Sequence, residues 1–470
     1  MQTFIPFSVE TLKTVLPYLN MNKTLCSDLS AGALFMWQEG TDLQFSVFND
    51  TLILRQNIGE QPAFTWPIGA DVYGAVDAII EYVKANDLAL RFYEVDDATL
   101  ETIKADSRLK PVMCEYEERW SDYIYSFADA IGFKGNKFKG QRNHINKFKR
   151  LYGEPNIRFL KKEDREDLRK MLSEYHCEHG DADILEELEF SMTEKLLDIA
   201  DDLCLYAACL IVDGKIAAFS IGEAIGDMLI IHIEKALRRY EGIYPTMYQG
   251  FLKLVSDKTG KTFSFVNRED DSGDEGLRIS KMQYNPVSKV NKYLVHINSP
   301  AYRIEKMPVL RFCNVVLTEL KEDDKRAYME LNTDIENNRY WGYDYREDDD
   351  ITGKIDENTF YDLAEVDMHA GDSINFAVRN SENGAIIGEA LLWNFTFGGS
   401  AEVGCRLLPE FQGKGYGTAA FKVLSDFAEN TLKVRVKARC FKENAASRHM
   451  IENSGYKMTK TDEKFYYFAR

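Results

Sequence analysis

Apolar residues recur along this chain with two periods, and the sharpest switch between them lies near the C-terminal end. From Ala401 to Leu408, Val403, Cys405 and Leu407 alternate with Glu402, Gly404 and Arg406, the period of a half-buried strand. Ala419, Ala420, Val423, Leu424, Phe427 and Ala428 then recur at helical spacing, and Val434, Val436, Ala438 and Cys440 alternate with Arg435, Lys437 and Arg439 as a second strand. Gln412-Gly413-Lys414-Gly415-Tyr416-Gly417-Thr418 therefore falls in a strand-to-helix turn. Glycine admits positive φ and close approach of a ligand to the backbone, and the first N–H groups of the helix face outward at its positive end. Such a turn is either a tight turn without a ligand or a diphosphate cradle.

The same periods predict a helix over Val9 to Tyr18, a hairpin from Leu43 to Leu54 around Asn49-Asp50, and a helix from Val72 to Asn86. Trp120, Tyr123, Tyr125 and Phe127 are spaced as on a strand. Three strands follow, Leu203 to Val212, Ile216 to Ala224 and Met228 to Ile233, turning at Asp213-Gly214 and Gly226-Asp227. From Lys134 to Arg150 the chain is basic, with Lys134, Lys137, Lys139, Arg142, Lys147, Lys149 and Arg150 unbroken by an acid and Phe138, Ile145 and Phe148 at helical spacing. That segment is either a solvated amphipathic helix or a phosphate-reading surface for tRNA or a phospholipid head.

Composition narrows the class. A length of 470 residues predicts two to four domains, and 45% hydrophobic with 12% aromatic residues predicts globular ones. No apolar run approaches the ~18 residues of a membrane span, and Met1 to Glu10 lacks a basic start and an apolar core, so a cytoplasmic protein without stable membrane insertion is expected. The eight cysteines are scattered, the pattern of reduced thiols and not of a disulfide framework or zinc ribbon. His176 and His179 share a helix face but lack a third ligand at suitable spacing, so no metal is expected. A formal charge of −18 excludes wholesale coating of nucleic acid.

After the second strand, Asn444 is placed as the N-cap of a short helix that ends near Gly455. The order is strand, Gln-x-x-Gly-x-Gly, helix, strand, Asn-x-x-Ser, helix, Gly-Tyr, and it is neither a nucleotide triphosphatase loop nor a dinucleotide fingerprint. It resembles the GNAT acetyltransferase superfamily, and within it the ribosomal-protein N-terminal acetyltransferase branch, over roughly residues 309–470. Val315 to Leu320 looks like the first strand, followed by Asp323, Asp324 and a helix toward Trp341-Gly342. Ile386 to Ala390 looks like the central pair and Phe465 to Phe468 the closing strand. The resemblance implies acetyl-CoA as cofactor, held by Leu407, by Gln412, Gly413, Lys414, Gly415, Tyr416, Gly417 and Thr418, and by Asn444.

Acetyl transfer to an amine needs a neutral nucleophile, support for the oxyanion and a proton for the departing thiolate. Glu402 is either the group that takes the amine proton or a strand-face carboxylate paired with Arg406 or Lys437. Many members of the superfamily protonate the thiolate with a Tyr seven positions after the Asn, where this chain has Ile451. The ribosomal-protein branch implies Ser447 as the substitute, its alternative being ordinary helix-start capping. Asn444 either bonds the pantetheine arm or only caps. Tyr340 and Trp341 either line the acceptor pocket or fill core. The acidic run Asp344 to Asp350 is a solvated loop or a steering field for a cationic amine.

The strand-turn-helix-strand order occurs earlier too. Arg239-Tyr240-Glu241-Gly242-Ile243-Tyr244 takes the place of Gln412 to Gly417, a helix from Thr246 to Val255 and a strand from Thr262 to Val266 follow, and Tyr293-Leu294-Val295 matches the closing strand. Tyr244 and Pro245 replace the small residues there, so coenzyme A is not expected at this copy. Trp120 to Tyr125, Gly135 to Lys149, His232-Ile233-Glu234-Lys235, Asn267-Arg268-Glu269-Asp270-Asp271, Gly276-Leu277-Arg278 and Lys281 to Pro286 together resemble the C-terminal domain of phosphatidylglycerol lysyltransferases, relatives of the Fem-type aminoacyl-tRNA-dependent transferases, over roughly residues 1–297. This implies two GNAT-like subdomains and a possible aminoacyl-tRNA partner at the basic 134–150 segment. His232, Glu234, Asn267, Arg268, Asp270, Arg278 and Lys281 are the candidates for an acceptor or second site. Read by themselves, the charges of both signs after Asn267 either hold an ammonium together with a carboxylate or phosphate, or form a surface ion-pair network.

The expectation is an α/β (α+β) fold of three GNAT-like mixed-sheet units, divided as 1–135, 136–297, a linker at 298–308 carrying Pro300 and Pro308, and 309–470. The expected activity is acetyl-CoA-dependent N-acetylation of a primary amine, on a small molecule or a protein N-terminus, by a domain fused to the lysyltransferase-like tandem. Two alternatives stand beside it: aminoacyl-tRNA-dependent transfer by residues 1–297 to a soluble or lipid acceptor, and an N-terminal half that is only a binding module.

Overall fold

A computed structural model describes residues 3–22, 24–179, 191, 193, 195–200, 203, 205–342, 344–347, 351 and 354–470. Cys204 and the end of the acidic run, Asp348 to Asp350, lie outside the described residues, as does the side chain of His179. Three mixed sheets of eight, seven and eight strands form an α/β fold of three GNAT-like units. Each sheet holds one parallel pair: Gln61–Phe64 with Leu90–Val95, Met228–Ala236 with Phe265–Asn267, and Ser400–Leu407 with Arg435–Phe441. A parallel pair requires a crossover. The helices Val72–Asn86, Ile243–Thr259 and Tyr416–Asn430 supply it in turn.

Local chemistry explains the clearest elements. Helix Val72–Asn86 buries Ala75, Val76, Ile79, Ile80 and Val83 at three- and four-residue spacing, is capped where Asp71 accepts from the Gly74 N–H, and ends at left-handed Asp87. The strands Gln44–Phe48 and Thr51–Ile58 turn on Asn49 and Asp50, at φ 44° and 56°. Two consecutive positive φ values are what a two-residue hairpin requires.

The first two units exchange their closing strands. Asp122–Ser126, which follows the first sheet in the chain, pairs with Phe265–Asn267 in the second. Tyr293–Ile297, expected to close the second copy, instead lies between Leu90–Val95 and Val112–Tyr116 in the first. The sheets therefore do not divide at 135/136. Alternation fixes which face of a strand is buried, and it is silent about which sheet supplies the neighbour.

The third unit is docked on the first. Asp87 accepts from Thr396 Oγ1 at 2.8 Å and Ser400 Oγ at 3.2 Å and pairs with Lys437. Phe397 N donates to Leu88 O at 2.9 Å. The expected linker takes part: Ala301 is buried in the third core, and Ser299 Oγ donates to Gly371 O at 2.6 Å. Within the third unit, Ala420, Phe421, Leu424 and Ala428 of the crossover helix pack on Val403, Leu407 and Phe376, each large side chain contributing roughly 1.5–3 kcal/mol.

Candidate active site

The turn between Ser400–Leu407 and Tyr416–Asn430 is open. Gln412, Gly413, Lys414 and Gly415 are exposed, and Tyr416, Gly417 and Thr418 are half-buried. Gly413 and Gly415 have φ of 70° and 83°, and nothing lies within 4 Å of a Cβ built on either. Gln412 N donates to Pro409 O, but none of the N–H groups from Gly413 to Thr418 donates to a backbone carbonyl. A run of exposed N–H groups without backbone acceptors at a helix start is suited to an anion. Gln412 braces it from behind, with Nε2 2.7 Å from Asn337 Oδ1 and 3.1 Å from Leu407 O. Lys414 Nζ folds onto Glu410 O at 2.7 Å, and the Tyr416 hydroxyl accepts from Asn380 at 3.3 Å.

Beside the turn the two parallel strands separate. Ser400, Ala401 and Glu402 pair with Arg435, Val436 and Lys437, and there the ladder stops, although one strand runs on to Leu407 and the other to Phe441. The N–H and C=O groups that face each other across this gap have no ladder partner, the requirement for seating an extended amide-bearing arm. Open amides on the turn and the parted strands together fit a coenzyme A carrier: Gly413 to Thr418 would hold the diphosphate and the gap the pantetheine. Leu407 itself is buried, and its carbonyl accepts from both Gln412 and Asn337.

On the face away from the crossover helix lies a cavity of about 360 Å³. Trp341 and Trp393 stand 6.3 Å apart on its wall. They fit because residue 404 is glycine: a Cβ there would sit 2.6 Å from Trp393 and 3.0 Å from Trp341. Arg406 forms the floor, buried, 2.8 Å from Glu389, 2.7 Å from Asn332 Oδ1 and 3.1 Å from Asn338 Oδ1, with its guanidinium 4.8 Å over Trp341. The Tyr328 hydroxyl donates to Glu389 from the other side. Trp341 thus lines the cavity, whereas Tyr340 packs on Phe441 at 5.7 Å.

Glu402 stands half-buried at the point where the strands part. Its partners are Arg439 Nε at 2.9 Å and Asn394 Nδ2 at 3.0 Å, not the anticipated Arg406 or Lys437, which are taken by Glu389 and Asp87. Burial pushes its carboxyl up from the usual range, against the pull of Arg439 and Asn394. Asn444 caps the helix Ala445–Asn453, its Oδ1 accepting from Ser447 N at 3.0 Å. That leaves the half-buried Ser447 hydroxyl uncommitted, because the cap uses the serine's backbone and not its side chain.

In the second unit the equivalent turn is closed. A Cβ at Gly242 would lie 2.1 Å from the His144 carbonyl, because helix Lys139–Tyr152 lies across the start of helix Ile243–Thr259. The strands part after Ile230↔Asn267, and the candidates fill the gap. His232 is buried between Glu269 at 2.8 Å and Glu223 at 3.4 Å. Burial alone would lower its pKa, but the two carboxylates outweigh it and raise it to about 9. Arg268 lies 4.5 Å over both the Tyr248 and Tyr284 rings and 3.2 Å from Glu234. Lys281 Nζ donates to the Arg268 and Asp270 carbonyls, and burial brings its pKa down to about 8.

The remaining candidates of this cluster are bound to neighbours. Arg278 pairs with Asp271 at 2.9 Å, and Asn267 donates to Asp122 at 2.8 Å. Cys26, Asp28 and Asp122 converge closely enough for a metal ion, but Lys292 Nζ already supplies the cation, paired with Asp28, with Asp122 at 2.9 Å and with Asp270 at 3.4 Å. Neither Lys292 nor its acids were legible as a group in the sequence, because 264 positions separate Asp28 from Lys292.

The basic segment forms the helix Lys139–Tyr152 with Ile145 and Phe148 buried. Lys137, Lys147 and Lys149 pair with Asp129, Glu241 and Glu154, and Arg142 caps the Phe133 and Gly135 carbonyls. Lys134, Lys139 and Arg150 remain exposed.

Three GNAT-like units, one with an open anion turn beside parted strands, define an acyltransferase. Residues 23–296 match the family described as phosphatidylglycerol lysyltransferase, C-terminal, and residues 314–457 match the acetyltransferase (GNAT) domain. The chain belongs to the phosphatidylglycerol lysyltransferase C-terminal family and carries a GNAT acetyltransferase domain fused to it. A conserved protein of unknown function from Bacteroides thetaiotaomicron is similar at 26% identity and a TM-score of 0.58, over 63% of this chain and 100% of that one. The structure of L-PGS from Bacillus licheniformis is similar at 15% identity and a TM-score of 0.46, over 63% of this chain and 94% of that one. An uncharacterised protein of Mycoplasmoides gallisepticum is 22% identical over 43% of this chain, which spans 64% of that relative's length. Among the described residues no helix is long and apolar enough to cross a membrane.

Proposed function

We propose that residues 309–470 are an N-acetyltransferase that takes its acyl group from acetyl-CoA and passes it to a primary amine. The observation that carries this reading is the set of N–H groups without backbone acceptors from Gly413 to Thr418 next to strands that separate after Glu402. Bound coenzyme A supplies the activated thioester. Glu402 takes the proton of the incoming amine, directly or through water. A carboxyl raised by burial is a better base near neutral pH than a solvated one. Ser447, whose hydroxyl the helix cap leaves uncommitted, delivers the proton that the leaving thiolate needs, and Trp341 with Trp393 holds the acceptor. Holding both reactants in line supplies much of the rate. Release of free thiol from acetyl-CoA across a panel of amines tests the proposal, and a chain that releases no thiol with any amine overturns it.

Family membership favours a second activity, aminoacyl transfer by residues 23–296. It is supported by Arg268 Nη1 and Glu234 Oε2, buried polar atoms without hydrogen-bond partners in the gap of the second sheet. An aminoacyl group presents an ammonium and an ester carbonyl, which suit those two atoms. Filter binding of charged tRNA tests it, with charge reversal at Lys139 and Arg150, the exposed cations of the basic helix, expected to abolish retention.

A further inference from the structure

The acetyltransferase unit does not enclose its cavity alone. The turn Ile58–Gln61, which joins two strands of the first unit, lines the same 360 Å³ space as Trp341, Trp393 and Arg406. The turn is held in shape from its own side, because buried Arg91 donates through Nη2 to the Ile58 and Gln61 carbonyls and through Nε to Pro62 O at 3.4 Å. It is held from the opposite side by Glu60, which pairs with Arg439 and accepts from Asn394 Nδ2 at 3.3 Å. Arg439 and Asn394 are the two groups that fix the Glu402 carboxylate. One side chain of the first unit therefore grips both supports of the candidate base in the third.

We infer that the acceptor site is a composite of two units, walled by the Ile58–Gln61 turn and tuned by Glu60, and that it takes a small cationic amine. The inference rests on the acetyltransferase reading above and names its substrate class. Size favours a small molecule: ~300 Å³ is the low end for pockets that take small ligands. Charge favours a cation. Among the described lining residues Glu389 is matched by Arg406 and Glu60 by Arg439. Asp372, half-exposed, is held only at 3.9 Å by Arg91 and His296, which leaves a loosely paired carboxylate to meet an ammonium. The indole walls suit an alkyl body or ammonium. Glu60 is a positioning residue that acts through Arg439 and Asn394.

The test uses the full chain, acetyl-CoA, and three acceptor probes: 1,5-diaminopentane, an amino-acid amide, and a ten-residue peptide with a free α-amine. Binding of each probe is read by calorimetry without acetyl-CoA, and turnover by thiol release. The inference expects the two small amines to bind and turn over and the peptide to do neither. Glu60→Ala should raise the small-amine KM about tenfold with kcat falling less and acetyl-CoA affinity unchanged, and Glu60→Gln, which keeps the Asn394 hydrogen bond, should recover part of the loss. Acetylation of the peptide in preference to the small amines overturns the substrate class, and small-amine kinetics indifferent to both variants overturn the composite site. Acetyl-CoA binding with no bound or acetylated small amine overturns the inference while leaving the donor site standing. Small-amine binding that depends on Glu60, without any acetyl-CoA binding, upholds the composite pocket and overturns the acetyltransferase reading instead.

Discussion

Gln412 and Asn337 meet at 2.7 Å, and both also donate to the Leu407 carbonyl, each at 3.1 Å. This triangle ties the anion turn to the short helix Ile335–Asn338, from which the chain runs on to Trp341. The donor side and the acceptor side of the cavity are therefore one rigid piece. Gln412→Ala removes two hydrogen bonds, each worth about 1 kcal/mol. It is expected to raise the acetyl-CoA KM roughly three- to tenfold and to lower thermal melting by a few degrees at most. Initial rates at fixed acceptor measure this.

Gly404 makes room for the two indoles. Gly404→Val places its Cβ against Trp393 at 2.6 Å, so the wall must shift. The acceptor KM is expected to rise about tenfold or more, while calorimetric binding of acetyl-CoA stays as in the parent chain, because the turn at Gly413 to Thr418 is on the other side of the sheet.

Asp87 holds the third unit to the first. Its carboxyl lies below the usual range: burial would raise it, but Lys437, Thr396 and Ser400 outweigh burial. A depressed pKa contributes stability above the unfolded value of ~3.9 and loses it as pH falls through the folded value. The docked arrangement should therefore loosen in acid, below about pH 4. Asp87→Ala also leaves one hydroxyl short of an acceptor, because Thr396 Oγ1 and Ser400 Oγ, 2.9 Å apart, can then bond only each other, at a cost of about 1–2 kcal/mol. Limited proteolysis near residues 298–308 reads the loosening, and cleavage at the parent rate would contradict it.

His232 gives a pH dependence of the opposite sign. Its pKa is raised to about 9 by Glu269 and Glu223, so the stability it contributes is complete below ~6.5 and is lost as pH rises through that folded value. Thermal melts from pH 6 to pH 10 should show a decline over that interval, and His232→Gln should flatten it. An unchanged slope in the variant would place the titration elsewhere.

Much of the acetyltransferase unit was legible before any coordinates. The strand at 401–408, the open glycine turn, the helix and the Asn444 cap are each set by interactions within a few residues, and local patterns report local interactions. The Glu402 partners were not legible, since Asn394 follows the end of one other strand, Arg439 lies within another, and Arg406 and Lys437 were equally suited by charge. The exchange of Asp122–Ser126 and Tyr293–Ile297 between sheets escaped for the same reason. So did Glu60, 379 positions from Arg439. One local signal was present and unread: Gly404, a glycine in a strand interior, marks a close approach, and the approaching groups are the two tryptophans of the cavity wall.

Every step of the proposed acetyl transfer depends on the amides around Gly415 gripping a diphosphate-bearing acyl carrier. Titration calorimetry of the full chain with acetyl-CoA tests it most directly, alongside Gly415→Glu, which sets a strained backbone at φ 83° and a carboxylate in the anion path while touching no neighbour. The parent chain is expected to bind one-to-one in the micromolar range, roughly 1–100 μM, and the folded variant not at all. Equal heats from both proteins, or no heat from the parent, would contradict it.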